Sequence, residues 1–471
     1  MPVSPCPIIM TGMNKYKNKL PMNLFIILSL MASGLLFSDN VWFDETYTLA
    51  LIRHNFYEIV EILQTDMHPP LYFIGLKLFC SMAGYDIVCT KLFSLLGYIM
   101  LLLLGCLIVR KDYGDRTAAL YLLILGAIPM SFYFSVQQRC YSWSMFFVTW
   151  CFLEGLRLLH SRNCRTVLFF TLSALCAAYN HIYALAATAG IVICINILIF
   201  MKCRNEWWKI LIGDLIMILG YSGWLGTLLA QTRQASENFW LTSLERNSLI
   251  VLAITILIFL PVLYMWKYLK KFEKYLIGSG IFTILFVHFA GFGISMLLRP
   301  LYIARYASPL LGIFAITAAV FLCRDGSTFT KKRRILCACL FSLCLIQYTA
   351  TAVFEYNPSL HNFRKAFDPI CSRNDVFLYC DSSFGIMSYY YPAHRHLVSY
   401  REPWFDAFGN VEYITPEHLK ESTSDKDQLW LVINEKKSIP KWIDRTWDRH
   451  KIFTFRSDFN SFGVWKLQSH A

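Results

Sequence analysis

The chain has 471 residues, of which 56% are hydrophobic and only 16% are charged, and its formal net charge is +13. Soluble globular proteins have about 25% charged residues, so this composition excludes a soluble protein. The sequence therefore predicts a polytopic α-helical membrane protein. The positive charge does not indicate nucleic-acid binding, because the pattern shows no basic face on a folded domain, and we predict no nucleic-acid partner.

Apolar runs close to the roughly 20 residues that span hydrocarbon as a helix recur through most of the chain. They predict about eleven transmembrane helices, at 22–38, 88–109, 118–135, 141–159, 166–180, 183–201, 209–229, 249–266, 276–298, 308–323 and 335–353. The count is open by one or two, because short runs flank His181 and because 69–83 is nearly long enough to cross.

Lysine and arginine are concentrated in every second loop, and such loops stay in the cytoplasm. The pattern predicts a multi-pass protein of the cell membrane with a cytoplasmic N-terminus, whose first loop and C-terminal region face outward. Most of the net charge then reflects this topology and contact with anionic lipid headgroups. The basic residues before the first run resemble a signal peptide, but no small-x-small site precedes Asp39. We therefore expect the first helix to be retained as an anchor.

The composition predicts three regions: a cytoplasmic segment at 1–21, a membrane domain at 22–353 and an extracytoplasmic α/β cap at 354–471. In the cap, short β-rich pieces alternate with polar turns. We expect strands at 375–380, 429–433 and 462–467, and helices at 416–421 and 441–449. Cys371 and Cys380 both lie in the cap, and the sequence leaves open whether they form a disulfide.

The first outer loop, 39–87, predicts two helices at the membrane surface. In 44–63, apolar residues recur at helical spacing with charged residues off that stripe, as in a helix that lies among lipid headgroups. Pro69 and Pro70 suit the first turn of a second helix at 71–82. A full crossing by this second helix would invert the charge alternation that follows, which favours a surface or re-entrant helix.

Two adjacent carboxylates, Asp44 and Glu45, follow the first apolar run, in Trp42-Phe43-Asp44-Glu45. An enzyme that acts on a lipid-borne substrate needs a base at this depth. The structural alternative is a helix N-cap followed by an acid in the first helical turn. The chemical interpretation is favoured by Tyr47, one turn later, and by the motif Asp66-Met67-His68-Pro69-Pro70-Leu71-Tyr72 in the same loop.

The order of these motifs, followed by Ser135-Val136-Gln137-Gln138-Arg139-Cys140-Tyr141, resembles the GT-C superfamily of membrane glycosyltransferases. It is most similar to the branch that uses polyprenyl or dolichyl phosphate sugars, which contains protein O-mannosyltransferases, the lipid A aminoarabinose transferase and lipopolysaccharide-core transferases. The resemblance covers the first seven predicted spans well and the rest loosely. It implies a GT-C fold with two juxtamembrane helices over a cavity. It also implies that Asp44 is the general base, a role worth roughly 10²–10⁴-fold in rate, and that Glu45 orients Asp44 or shares its work.

The same resemblance implies a polyprenyl phosphate leaving group, whose negative charge needs hydrogen-bond donors placed in advance. The candidate donor-binding residues are Arg139, Arg299, Arg305, Tyr306, His68 and Lys77. Arginine suits phosphate oxygens, but long cationic side chains at helix ends also extend to lipid headgroups. His68 fits a structural cap of the turn that follows it equally well.

We expect the acceptor side and the cavity to be lined by Asp66, Tyr47, His181, Gln137 and Trp240. Gln231 and Trp240 resemble a family pattern for sugar stacking or a lid, while a tryptophan of the membrane interface is the alternative. The family usually has an acid at the position of Gln137, so a carboxylate suited to a metal is missing here. We therefore predict no metal and no cofactor.

These observations predict an inverting glycosyltransferase that moves one sugar from a polyprenyl phosphate carrier to an acceptor on the outer face of the membrane. The expected partners are this donor, membrane lipids and an acceptor that is a cell-envelope glycan, a lipid or a protein. Inversion follows from a single displacement driven by one carboxylate. A flippase or transporter of lipid-linked saccharides predicts ionisable residues at mid-span or paired broken helices. A non-catalytic homologue that binds polyprenyl lipids is the third alternative.

Overall fold

The structure is a computed structural model that describes residues 18–238, 243–324, 331–400, 403–419, 428–457 and 460–469. Within these residues the chain forms two compact units. The first, called the helical unit, comprises the described residues of Met1–Leu36, Met67–Gly75 and Ala83–Thr351. The second, called the α/β unit, comprises the described residues of Phe37–Asp66, Leu76–Met82 and Ala352–Ala471. The predicted domain boundaries at 21 and 353 stay predictions.

Apolar runs satisfy their backbone hydrogen bonds in a membrane by forming helices, and every predicted run is helical along most of its length. In chain order the helices up to residue 355 are α1 (Leu20–Ser33), α2 (Phe43–Leu51), α3 (Phe56–Thr65), α4 (Leu71–Ala83), α5 (Ile87–Leu104), α6 (Arg110–Tyr113), α7 (Asp115–Ala127), α8 (Ser131–Val136), α9 (Tyr141–Leu158), α10 (Cys164–Asn180), α11 (Ile182–Cys203), α12 (Trp208–Asn238), α13 (Arg246–Met265), α14 (Lys271–Leu297), α15 (Leu311–Cys323) and α16 (Lys331–Glu355). A π-helical turn at Gly105–Val109 joins α5 to α6.

Seven helical segments of the described residues are long and apolar enough to cross a membrane, judged by length and composition. They are Ile87–Tyr113, Ile182–Glu206, Trp208–Ser236, Arg246–Tyr268, Lys271–Leu297, Ala304–Cys323 and Arg334–Phe367. Large aliphatic side chains on their surfaces are exposed, among them Leu219, Leu257 and Val353, as in helices that face lipid. The prediction of a multi-pass α-helical membrane protein is confirmed, while the count of about eleven spans stays a prediction.

The predicted run 118–135 is interrupted, and this interruption shapes the candidate site. Helix α7 ends at Ala127, because Ile128 precedes a proline and is extended (φ −66°, ψ 130°). Met130 then adopts the left-handed conformation (φ 67°), and α8 starts at Ser131. The short α8 leads into an irregular stretch that carries Arg139 before α9 begins.

Close contact between helices fixes where α9 and α15 lie. A Cβ atom on Gly312 would overlap the side chain of Thr149, so the two helices approach as closely as they do only because residue 312 is glycine. Small residues allow such contacts between membrane helices. Because α9 follows Arg139 and α15 follows the segment with Arg305, this contact helps to set the positions of both arginines.

The C-terminal part of the α/β unit is built on a six-stranded mixed sheet of order β3-β2-β1-β4-β6-β5. Its strands are β1 (Val376–Tyr379), β2 (Arg395–Val398), β3 (Val411–Tyr413), β4 (Leu429–Asn434), β5 (Trp447–Ser457) and β6 (Asn460–Ser469). The first four strands are parallel, and β6 pairs antiparallel with β4 and β5. Helices α17 (Ser359–Phe367), α18 (Phe384–Tyr390) and α19 (Lys441–Thr446) accompany the sheet. A small sheet domain in this region was predicted and is confirmed.

Some details of this unit differ from the prediction. The three predicted strands are present as β1, β4 and β6, but the helix predicted at 441–449 stops at Thr446 and the chain enters β5. The helix predicted at 416–421 is a 3₁₀ turn at Pro416–His418, and 420–421 lie outside the described residues. Cys371 and Cys380, whose pairing the sequence left open, are both free thiols.

The surface helix predicted at 44–63 is divided into α2 and α3. The division arises from a reciprocal cap at Asn55: its side chain accepts the Glu58 N–H (2.9 Å), and the Glu58 carboxylate accepts the Asn55 N–H (3.0 Å). This pair satisfies backbone donors that a continuous helix would otherwise use. Helix α4 starts at Leu71, directly after the two prolines, as predicted.

Candidate functional site

The two adjacent acids lie in the first turn of α2, in the α/β unit. Helix α2 is capped by the extended residue Trp42 (φ −104°, ψ 172°), and the Glu45 carboxylate accepts the Trp42 N–H at 3.2 Å. Glu45 is almost completely buried, with 4% of its surface exposed. The capping alternative therefore accounts for Glu45.

A second acid is tied to the same helix. The Tyr47 hydroxyl donates a hydrogen bond to Oδ2 of Asp66 at 2.8 Å. Asp66 follows the last turn of α3 in an extended conformation, so this contact joins the end of α3 to the middle of α2. Tyr47 lies one turn after Asp44, on the same face of α2. We call Asp44, Glu45 and Asp66 the acidic group.

Lys77, a candidate donor-binding residue, has a structural contact in the α/β unit. Its Nζ donates to the Ile52 carbonyl at 3.1 Å and lies 5.5 Å from the centroid of the Phe56 ring. Lys77 on α4 thus satisfies a carbonyl at the end of α2, where helix carbonyls lack partners within the helix. This contact supports a structural role for Lys77.

In the helical unit, Arg139 contacts His68. The Arg139 Nη2 donates to Nε2 of His68 at 2.6 Å, so Nε2 is the acceptor and the imidazole carries its proton on Nδ1. The Arg139 N–H is held by the Gln137 carbonyl at 2.7 Å, and the adjacent Gln138 side chain donates to Thr90 on α5 at 2.6 Å. Hydrogen bonds of the Arg139 backbone, the Arg139 guanidinium and the neighbouring Gln138 side chain therefore hold the irregular stretch between α8 and α9 in place.

His181 lies between α10 and α11, in the same environment as the arginines. Its Nδ1 accepts the Tyr183 N–H at 3.2 Å, which caps α11, and its ring lies 5.6 Å from that of Tyr306. Burial lowers the pKa of His181 to about 3, with further lowering by the positive charges of Arg139 and Arg305. Two guanidinium groups therefore lie near His181, and we call Arg139 and Arg305 the cationic group.

Two residues that the sequence analysis missed hold the Arg305 segment. The Glu245 carboxylate accepts the Ala304 N–H at 2.6 Å and the Ser248 hydroxyl at 2.7 Å. The Ser295 hydroxyl accepts the N–H groups of Leu301 and Tyr302, both at 3.0 Å. Their signal in the sequence is weak, because Glu245 is 59 residues from Ala304 and neither residue belongs to a motif.

Aromatic rings complete the surroundings of the cationic group. Tyr306 stacks on Tyr183 with centroids 4.9 Å apart, and Tyr141 lies 6.0 Å from His181. The Arg305 guanidinium lies 5.8 Å from the centroid of Tyr306. Rings that contact a guanidinium help to hold its plane in place.

Three further candidates, Gln137, Gln231 and Arg299, lie in the helical unit. Gln137 is 1% exposed, and neither polar atom of its side chain has a hydrogen-bond partner among the described residues. Arg299 is half-buried just beyond the end of α14, Gln231 is buried on α12, and Trp240 lies outside the described residues.

Two ionisable residues within predicted spans have structural contacts. His288 hydrogen-bonds Tyr302 (2.8 Å), and the Asp214 carboxylate accepts a hydrogen bond from Asn196 (2.9 Å).

The described residues combine apolar helices with a small α/β unit, and two adjacent acids lie on a short helix after the first predicted membrane helix. The chain shares its fold with solved structures. It matches the crystal structure of ArnT from Cupriavidus metallidurans bound to undecaprenyl phosphate with a TM-score of 0.61 and 12% sequence identity, over 94% of this chain and 97% of that chain. The apo structure of the same ArnT matches with a TM-score of 0.61 and 13% identity, over the same shares of both chains.

The comparison confirms the GT-C resemblance at the level of the fold, which is what an identity this low shows. No protein-family model matches the chain, and no curated protein sequence matches it. The roles of individual residues and the substrates therefore rest on the geometry and chemistry of this chain.

Proposed function

We propose that the protein is an inverting glycosyltransferase that takes a sugar from a polyprenyl phosphate donor. The observation that carries this proposal is that Arg139, held by His68, and Arg305, packed on Tyr306, both lie near His181, in a fold shared with a protein that binds undecaprenyl phosphate. Guanidinium groups match the geometry of phosphate oxygens, and the phosphate of such a donor is an anion that lies close to hydrocarbon.

The cationic group is suited to the leaving phosphate. As the bond between the anomeric carbon and the phosphate oxygen breaks, negative charge grows on that oxygen, and fixed guanidinium donors stabilise it without reorganisation. Arginine offers paired N–H donors that match phosphate oxygens. His68 keeps the Arg139 guanidinium oriented through the 2.6 Å contact, so that the remaining N–H groups of Arg139 have a defined direction.

The acidic group is suited to activate the acceptor. In the proposed reaction the Asp44 carboxylate takes the proton of an acceptor hydroxyl while the acceptor oxygen attacks the anomeric carbon. One carbon–oxygen bond forms and the bond to phosphate breaks, which inverts the anomeric centre and releases polyprenyl phosphate. Glu45 and the Tyr47–Asp66 pair then position α2, which is consistent with the capping contact of Glu45.

One short motif contains Asp66 of the acidic group and His68, the hydrogen-bond partner of Arg139, with only Met67 between them. We further propose, from the charge pattern of the loops, that this motif and the C-terminal unit face away from the cytoplasm in a cell membrane. A cell-envelope glycan, a lipid or a protein at that face would be the acceptor.

The proposal is tested by incubating the purified protein in lipid nanodiscs with a panel of polyprenyl phosphate sugars and measuring released carrier phosphate. Release with at least one donor, dependent on an added glycan, lipid or peptide acceptor, is the expected result. A flippase gives transport of the labelled lipid across a vesicle bilayer without release of carrier phosphate. That outcome, or binding of the carrier lipid without either activity, contradicts the proposal.

A further inference from the structure

The strand order of the α/β unit places a topological switch point next to the acid-bearing helix. The chain runs from the central strand β1 outward to β2 and β3, and then returns to β4 on the other side of β1. In sheets of this kind, ligands bind beyond the carboxyl ends of the two strands that flank the reversal. In this protein, those ends are β1 at Tyr379 and β4 at Asn434.

The protein's own chain fills this position. Asp381, which is 2% exposed, accepts the N–H groups of Ser383 (2.9 Å) and Asn434 (2.8 Å), and the Ser383 hydroxyl donates to the Val432 carbonyl (2.9 Å). These contacts tie the loop after β1 to the end of β4. The loop then enters α18, which is thereby fixed to the carboxyl edge of the sheet.

Helix α18 packs against α2 at a point where only glycine fits. A Cβ atom on Gly385 would lie 2.6 Å from Oγ1 of Thr46 and 2.7 Å from the Phe43 ring. Phe43 also contacts Phe384 edge-on (6.0 Å) and stacks with Phe408 (6.4 Å), and Phe408 lies 6.3 Å from Tyr47. The residues on both sides of Asp44 in α2 are therefore packed against the C-terminal part of the chain.

The lead-in to α2 is held by the same part of the chain. The Tyr390 hydroxyl accepts the Val41 N–H at 3.1 Å and donates to the Asp39 carbonyl at 2.6 Å. The Ser457 hydroxyl donates to the Val41 carbonyl at 3.0 Å. A helix of nine residues is too short to be stable by itself, so these contacts decide where α2 lies and how it is rotated about its axis.

We propose that α18, with Tyr390 at its end and Phe408 beside it, is a clamp that positions the Asp44 carboxylate. The edge of the sheet where a small ligand would bind in related topologies carries the loop that leads into α18, and α18 in turn packs against the acid-bearing helix α2. Gly385 and Tyr390 are then positioning residues for the transfer reaction. This inference rests on the proposed function for its catalytic consequence, but the clamp itself is a property of the α/β unit.

Two variants and two measurements test the clamp. Gly385→Ala places a methyl group into the contact with Thr46 and Phe43, and Gly409→Ala is the matched control, because a Cβ atom at Gly409 meets nothing within 4 Å. Amide hydrogen exchange follows α2 directly, and donor saturation kinetics separate kcat from KM. Gly385→Ala is expected to speed exchange in Phe43–Leu51 and to lower kcat by about 10- to 100-fold, with the donor KM within about twofold of wild type. Gly409→Ala is expected to match wild type in both.

Tyr390→Phe provides an independent test that keeps the ring and removes only the hydroxyl. Tyr390→Phe is expected to speed hydrogen exchange of the Val41 amide and to lower kcat by about 10- to 100-fold. If Gly385→Ala does not fold, Tyr390→Phe tests the clamp by itself. Unchanged exchange in α2 for Gly385→Ala and of the Val41 amide for Tyr390→Phe overturns the clamp, and faster exchange with an unchanged kcat overturns its positioning role. An absence of turnover in the wild-type protein overturns the proposed function, while the exchange result still decides whether the clamp exists.

Discussion

Arg139 donates a hydrogen bond to Nε2 of His68 at a distance of 2.6 Å. The contact joins two motifs that are 71 residues apart in the sequence, and it requires a neutral His68, because a protonated imidazole has no acceptor atom. Its consequence is a fixed orientation of a buried guanidinium. In the proposed reaction this guanidinium stabilises the charge that develops on the leaving phosphate.

Replacement of Arg139 tests this role. Arg139→Gln is expected to lower kcat by about 100-fold, since the removal of one preorganised donor typically costs about 10²–10³ in rate. His68→Gln keeps an acceptor for Arg139 and is expected to have a smaller effect. Carrier release measured over a range of donor concentrations gives both values. The control is Arg246→Gln, which removes an exposed arginine at the start of α13. Turnover of Arg139→Gln within about threefold of wild type contradicts the role.

Glu245 is expected to position the Arg305 segment through its contacts with Ala304 and Ser248. Glu245→Ala loses both contacts and is expected to raise the donor KM by about tenfold, which corresponds to about 1.4 kcal/mol. Glu245→Gln keeps an acceptor oxygen and is expected to restore most of the affinity. Glu206→Ala, which removes an exposed partner of Arg162, serves as the control for the loss of a carboxylate. Equal KM values for the alanine and glutamine variants contradict the positioning role.

Gln137 is expected to bind substrate rather than to stabilise the fold. Since its buried amide has no hydrogen bond within the described part of the chain, Gln137→Leu is expected to leave the free energy of unfolding unchanged or to raise it by about 1 kcal/mol. The same change is expected to raise the donor KM. Gln138→Leu is the matched control, because Gln138 donates to Thr90 at 2.6 Å and its loss is expected to destabilise the protein by about 1–2 kcal/mol. An unchanged KM for Gln137→Leu shows that Gln137 does not contact the substrate.

The lowered pKa of His181 predicts a loss of stability in acid. The folded protein binds a proton at His181 only near pH 3, whereas the unfolded chain does so near the ordinary value of about 6.5. This contribution to stability is therefore complete above about pH 6.5 and is lost as the pH falls from there towards 3. His181→Asn keeps an acceptor suited to the start of α11 and removes the titration. Its melting temperature is expected to fall less than that of wild type between pH 7 and 4.5, and parallel curves contradict the prediction.

The membrane helices could be predicted from the sequence because a single requirement, apolar length, determines them. The interruptions within these apolar runs depend instead on local backbone conformation and helix capping. The break at Met130 depends on Pro129 and on a left-handed residue that no pattern of apolarity reveals. The division of α2 from α3 was visible as Asn55 with Glu58 three residues later, which is a capping pattern, but the continuous apolar stripe concealed it.

The acids and arginines of the candidate site could be found from motifs, whereas the residues that hold them could not. Glu245 and Gly385 act on segments that are distant in the sequence, and only the folded chain brings them together. Strand β5 was missed for a related reason: it contains several charged residues in Trp447–Ser457, and its strand conformation depends on pairing with β6.

Asp44 provides the most direct measurement. Asp44→Asn keeps the size of the side chain and removes its capacity to accept a proton. Asp39→Asn makes the same change five residues earlier, at a residue whose backbone carbonyl accepts the hydrogen bond from Tyr390. The proposed function predicts that Asp44→Asn lowers the rate of carrier release by about 10²–10⁴-fold, that it still binds undecaprenyl phosphate as tightly as wild type, and that Asp39→Asn remains active. Wild-type rates of release by Asp44→Asn would contradict the assignment of the base and, with it, the proposed mechanism.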